Sequence, residues 1–280
     1  MPGCALAKPR SELSITLEGC PVVFADTAAK ADPRGAWGKI DCERERRQQR
    51  PAAGGDPDPR ADGTPQGDAA YRLISVIDGD DVYGERCELG QNDHSEGPTA
   101  IYAEGMRRVT FASVRLPASF PLGVDAWQNV LQMKQAQPAD NGGGTPVLSL
   151  KAFDGRWILF HSDAGETDVD TELWSTPARR GAWIRFAFDV TYSSDPDRGS
   201  IKLYADLDGD GDFEDAGEQS PTFITNTLKR ETGGDSGDGY AEGDPLVSHL
   251  RTGIYHDPKI PCPAPDGCAV ELDNVEVLAP

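Results

Sequence analysis

From Tyr71 onward the chain is a succession of short segments in which apolar and polar residues alternate, each closed by turn-forming residues. Trp183-Ile184-Arg185-Phe186-Ala187-Phe188-Asp189-Val190 and Val270-Glu271-Leu272-Asp273-Asn274-Val275-Glu276-Val277 show the pattern most clearly. A period of two sends successive side chains to opposite faces of a strand, so one face is buried and the other wet. No segment sustains the 3.6-residue apolar period of a helix. None approaches the ~20 apolar residues needed to cross a bilayer. The spacing predicts strands over Tyr71–Ile77, Arg86–Gly90, Thr99–Tyr102, Arg108–Arg115, Trp127–Gln135, Val147–Ala152, Arg156–His161, Ala182–Tyr192, Ser200–Ala205, Thr222–Lys229, Leu250–Tyr255 and Ala269–Leu278. Asp154-Gly155 between two of them is a hairpin signal. Many short strands separated by turns predict an all-β sandwich of jelly-roll type.

Residues 1–70 have a different texture. Strands are expected at Leu13–Leu17 and Val22–Ala25, followed by a charged Pro/Gly/Asp-rich stretch over 43–69 that begins Glu43-Arg44-Glu45-Arg46-Arg47. That composition reads as a linker. The expected organisation is therefore a partly disordered N-terminal extension, 1–70, ahead of one domain, 71–280, acting as a monomer.

The formal charge of -20 disfavours nucleic acid and anionic membranes as partners. It also opposes an anionic polysaccharide at long range, unless a locally basic groove attracts one over distances that salt does not screen. Six cysteines in a loop-rich chain fit an oxidising compartment, hence secretion, although the first 30 residues lack a basic start followed by a sustained apolar run. Cys262 and Cys268 flank a small Pro/Gly loop and are expected to bridge. The spacing of Cys4, Cys20, Cys42 and Cys87 does not fix a pairing, and Cys87 is a buried free thiol if the N-terminal cysteines pair elsewhere.

Three separated segments carry the candidate chemistry: Arg86-Cys87-Glu88-Leu89, Gln132-Met133-Lys134 and Arg251-Thr252-Gly253-Ile254-Tyr255. Side by side in one sheet they present Arg86, Glu88, Gln132, Lys134 and Tyr255 on a common surface. That set offers a guanidinium, an amide, an amine and a phenol to an acidic sugar chain. With the "pVLsL…dGrW" hairpin and the closing "DNV.V" strand, this order of motifs resembles the heparin lyase I-like polysaccharide lyases. More distantly it is similar to the jelly-roll alginate and glucuronan lyases. The resemblance covers roughly Tyr71 to Val277. It implies a concanavalin-like jelly roll of two antiparallel sheets with a concave groove, an acidic polysaccharide substrate and no cofactor requirement. Where the alginate-lyase relatives carry Gln-[Ile/Val]-His, this chain has Lys134 in place of the histidine.

A uronate lyase must neutralise the C5 carboxylate, remove the C5 proton and protonate the leaving glycosidic oxygen. The resemblance assigns Tyr255 as proton shuttle and Gln132 and Arg86 as carboxylate ligands. Lys134 then either stabilises the carbanion-like intermediate or acts on Tyr255. Glu88, Arg251 and the loop residue His94 are the expected substrate contacts. His161 and His249 carry no motif and read as structural or exposed. Each strand residue also has a plain structural reading, as an ion pair or a solvated face. Two alternatives remain: a non-catalytic carbohydrate-binding module on the same scaffold, and a glycoside hydrolase, for which Glu88 lacks a second carboxylate.

Asp206-Leu207-Asp208-Gly209-Asp210-Gly211-Asp212 matches the first half of a calcium loop, with aspartates at alternate positions and glycine sixth. The twelfth position is Gly217 rather than glutamate, and the flanks read as strands. The segment is either a calcium-binding hairpin loop held by Asp206, Asp208, Asp210 and Asp212, or a solvated acidic turn.

Overall fold

A computed structural model describes residues 20–26, 33, 36–43, 71–82, 84–91, 101–135, 145–162, 170–231 and 241–280. Its strands are β1 (Val22–Asp26), β2 (Lys39–Cys42), β3 (Arg72–Val76), β4 (Arg86–Gly90), β5 (Ile101–Tyr102), β6 (Arg107–Arg115), β7 (Gln128–Gln135), β8 (Leu148–Phe153), β9 (Arg156–Ser162), β10 (Asp170–Pro177), β11 (Trp183–Thr191), β12 (Ser200–Asp206), β13 (Phe223–Ile224), β14 (Ser248–His256) and β15 (Cys268–Leu278). No α-helix occurs among the described residues.

The strands form two antiparallel sheets. One runs β1-β15-β6-β11-β12-β13, with β3 sharing an edge of β15. The other runs β10-β9-β8-β7-β14-β4-β2, with β5 beside the start of β14. Ile184, Phe186, Phe188 and Val190 of β11 and Leu148, Leu150, Ala152, Trp157 and Leu159 of β8 and β9 are buried in one continuous core. The side chains between them point outward, as a period of two requires. This is the sandwich expected from the alternation. A smaller cluster, including Phe111, Ala187, Tyr204 and Phe213, lies outside the main core, where the 206–219 loop covers β11 and β12.

The sandwich reaches back before Tyr71. The strand expected at Val22–Ala25 forms as β1 and pairs with β15. β2, which the sequence reading omits, pairs with β4, and Cys42 lies opposite Cys87 in register and bridges to it. Cys87 is thus a disulfide cysteine, not a free thiol. Cys262 and Cys268 bridge as expected. The segment Leu13–Leu17, the bulk of the linker from residue 44 to 69, and His94 lie outside the described residues.

The outer face of the β2–β10 sheet

The candidate site lies on the face of the eight-stranded sheet that points away from the core. Alternation assigns its residues. In β4, Cys87 and Leu89 are core while Arg86 and Glu88 point out. In β14, Leu250 and Ile254 are core while His249, Arg251 and Tyr255 point out. In β7, Leu131 and Met133 are core while Gln132 and Lys134 point out. All the expected strand residues therefore share one face.

They form a tight polar layer. Glu88 accepts from Gln132 Nε2 and from Arg86, whose Nη1 lies 3.3 Å from Glu88 Oε2. Arg251 Nη1 lies 3.8 Å from the same oxygen and donates to Asp41 of β2 at 2.8 Å. Arg251 Nε donates to His249 Nε2 at 3.0 Å. Burial, with the cations Arg251, Lys39 and Lys134 around it, holds the His249 imidazole well below its ordinary range, so it is neutral at pH 7. Lys134 stands directly across from His249. Burial first, then Arg251 and Lys229, lowers its pKa to about 7.

The predicted residues do not all share one sugar-sized span. Lys134 is level with His249, and Tyr255 lies six residues farther along β14. At about 3.3 Å per residue that is roughly 20 Å. The Tyr255 ring is turned still farther away. Arg86 stacks over it with its guanidinium carbon 3.7 Å from the centroid, and Trp127 packs edge-on at 4.7 Å. The hydroxyl sits where a Cβ on Gly84 would lie only 3.3 Å from it. Gly84, at φ +97, is thus both a turn residue and the space that the phenol occupies. The expected grouping of Gln132 and Lys134 around Tyr255 is corrected: strand register places them beside Glu88, Arg251 and His249 instead.

The sequence reading missed Asp41, His249, Asn129 and Lys151, all on this face. Asp41 lay in the region read as extension. His249 followed no motif. Asn129 and Lys151 lie directly opposite one another on β7 and β8. His256, next to Tyr255, points to the opposite face as expected, with Nε2 3.3 Å from Cys262 Sγ. His161 is buried, with Nε2 2.8 Å from the Asn226 carbonyl.

The face is basic. Among the described residues, register puts the cations Lys39, Arg86, Lys134, Lys151, Arg156 and Arg251 on it, against the carboxylates Asp41, Glu88 and Glu172. The rest of a chain of charge -20 is correspondingly more acidic. The acidic turn lies apart, after β12. Ligand atoms of Asp206, Asp208 and Asp210 come within 4.8 Å of one another. Asp206 accepts from the backbone of Gly209 and Gly211, and Asp212 from that of Glu214. Asp208 pushes the Asp215 carboxyl up by like charge.

No protein of curated function matches the chain in sequence. Among solved structures, endo-β-1,4-glucuronan lyase from the fungus Trichoderma reesei superposes with a TM-score of 0.58 at 13% identity, over 93% of this chain and 96% of that one. An alginate lyase from Pseudomonas aeruginosa gives 0.43 at 11% identity, covering 75% and 82%. At such identity, the first of these likenesses shows a shared fold. The family model described as "Polysaccharide lyase" matches residues 37–264. That span runs from before β2 to beyond β14 and takes in every strand of the basic face, so the chain belongs to the polysaccharide lyase family.

Proposed function

We propose that this lyase cleaves a uronate-containing glycan by β-elimination. The observation that carries the reading is the gathering of cations on one outer face of an otherwise acidic protein, with a tyrosine seated against one of them. Each uronate brings a carboxylate, and arginine binds carboxylates with paired, charge-assisted hydrogen bonds. Arg86 is placed to hold the carboxylate of the sugar that reacts, and Tyr255 beside it to carry the proton. Gln132, Lys134 and Arg251 lie along the strands from that point and contact sugars farther along the chain. A face this long suits a polymer better than a single sugar, and the resemblance to heparin lyase I-like enzymes supports an acidic glycan. The disulfides support secretion. On the same reading the acidic turn holds a structural calcium ion that takes no part in the reaction.

Incubation with a panel of polyuronates tests this. The wild type should generate the ultraviolet absorbance of an unsaturated uronate, and Tyr255→Phe should abolish it. Undiminished turnover in that variant rules out the role of Tyr255. Retention of the glycan without absorbance would instead indicate a binding module.

A further inference from the structure

Two strand irregularities sit side by side at the centre of this sheet. The register of β7 against β8 shifts between Asn129 and Leu131, and that of β14 against β7 shifts between Thr252 and Tyr255. Their effect is visible in burial: the consecutive residues Val130 and Leu131 both enter the core. A strand with two neighbours on one side has an extra residue, and its alternation changes phase there. Asn129, which unbroken alternation from Gln132 would send inward, is turned to the outer face.

The phase change builds a row across four adjacent strands. Arg86 of β4 lies opposite Tyr255 of β14, Tyr255 opposite Asn129 of β7, and Asn129 opposite Lys151 of β8. With strands about 4.8 Å apart the row is roughly 14 Å wide. It contains a guanidinium, a phenol, an amide and an amine, the same groups that the sequence suggested, with the amide and the amine supplied by Asn129 and Lys151 instead of Gln132 and Lys134. Asn129 is only 5% exposed, and its Oδ1 has no hydrogen-bond partner among the described residues. A buried polar atom in that state is costly unless something completes it. Lys151 is 6% exposed, with Nζ 4.4 Å from the centre of the Phe160 ring. Trp127 closes the row beside Tyr255.

We propose that Asn129 and Lys151, rather than Gln132 and Lys134, complete the reaction centre with Arg86 and Tyr255. The inference rests on the lyase reading and says which residues perform it. The Asn129 amide is a donor and an acceptor side by side, which suits a uronate carboxylate and a neighbouring sugar hydroxyl. The deprotonated Tyr255 oxygen takes the C5 proton, and the C5–H electron pair moves into the carboxyl group. Arg86, Lys151 and the Asn129 amide hold the resulting enolate charge. The pair then returns to form the C4–C5 double bond, the C4–O bond breaks, and the leaving oxygen recovers the proton from Tyr255. One alcohol and one unsaturated uronate result, and the tyrosine is restored.

The test compares Asn129→Ala, the near-isosteric Asn129→Asp and Gln132→Ala, using β-1,4-glucuronan and alginate oligomers, with absorbance for turnover and calorimetry for binding. Thermal melts confirm folding. Asn129→Ala should lower kcat about a hundredfold or more, the usual loss for a transition-state donor. Asn129→Asp should lose more, because it sets a like charge against the carboxylate. Gln132→Ala should raise KM while leaving kcat within a few-fold. The reverse pattern, with kcat retained in Asn129→Ala and lost in Gln132→Ala, overturns the assignment. If the wild type binds these glycans without cleaving them, the lyase reading fails alone. Asn129→Asp should then still weaken binding at least tenfold, and unchanged binding overturns the row. Wild-type protein that neither binds nor cleaves overturns both.

Discussion

Replacing Lys134 with methionine is expected to stabilise the protein, by an amount that depends on pH. Lys134 is 8% exposed, and Arg251, Lys229 and Arg86 all disfavour the charge of its amine. The carboxylate that favours it, Glu88, already accepts from Gln132 and Arg86. The result is a fall in pKa from 10.5 to about 7. The sign follows from proton counting. Between about pH 7 and 10.5 the unfolded chain binds one proton more than the folded chain at this site, so wild-type stability rises with pH there. Below about 7 both states are protonated and the folded state carries the full penalty. Three and a half units at ~1.4 kcal/mol each put that penalty at no more than about 5 kcal/mol.

Methionine keeps most of the lysine stem and has nothing to titrate. Urea denaturation of both proteins at pH 6, 7.5, 9 and 10.5 should therefore show a difference that is largest at the acid end. It should shrink by about 1.4 kcal/mol per unit above pH 7 and vanish near 10.5. Other groups that titrate in this range do so in both proteins and cancel. A difference that is constant with pH, or that grows as pH rises, would refute the account of Lys134 as a cation buried among cations.

Other perturbations test the frame around the site. Gly253→Ala places a Cβ 2.3 Å from the Cys87 carbonyl oxygen at φ +142, and should cost about 3 kcal/mol or more in chemical denaturation; unchanged stability would contradict the β4–β14 register. Replacing Cys42 and Cys87 together by serine opens a loop closed across 45 residues, worth about 4 kcal/mol on chain-entropy grounds. It should also raise KM, because Asp41 beside the bridge holds Arg251; a KM equal to wild type would separate β2 from the site. Calcium added to stripped protein should raise the melting temperature and give a calorimetric signal that Asp208→Asn weakens. Neither response in the wild type would leave the acidic turn as a solvated loop.

Most strands were legible because their alternation runs long enough to show which face is buried. β11 needed no more than that, and β15 was read although its register shifts between Asp273 and Glu276, so that its core residues pass from Val270 and Leu272 to Val275 and Val277. The two that were missed show what hides a strand. β10 carries a register shift between Glu172 and Trp174, so its apolar residues fall out of phase. β2 has four residues, and without a partner they show too short a pattern to stand out. In the stretch read as Thr222–Lys229, Phe223–Ile224 alone pairs as a strand. Its later residues are held by other means, such as the Thr227 hydroxyl donating to the Thr191 carbonyl.

The site was legible in kind but not in pairing. Two-residue spacing correctly put Gln132 with Lys134, and Arg86 with Glu88, on outward faces. Which residue faces which across strands is set by hydrogen-bond register, and a bulge at Val130 shifts that register without marking the composition. The charge objection dissolves for a related reason. A net -20 is summed over the whole chain, whereas salt at physiological strength screens charges beyond about 8 Å. A bound polyanion is governed by what lies within that distance. On the outer face that means Arg86, Lys151, Lys134 and Arg251, in excess over Asp41 and Glu88, while the aspartates of the 206–215 turn lie at and beyond the end of strand β12 in the other sheet. Recognition there is a matter of contact, and so of register, which is why the proposal turns on Asn129 and not on the overall charge.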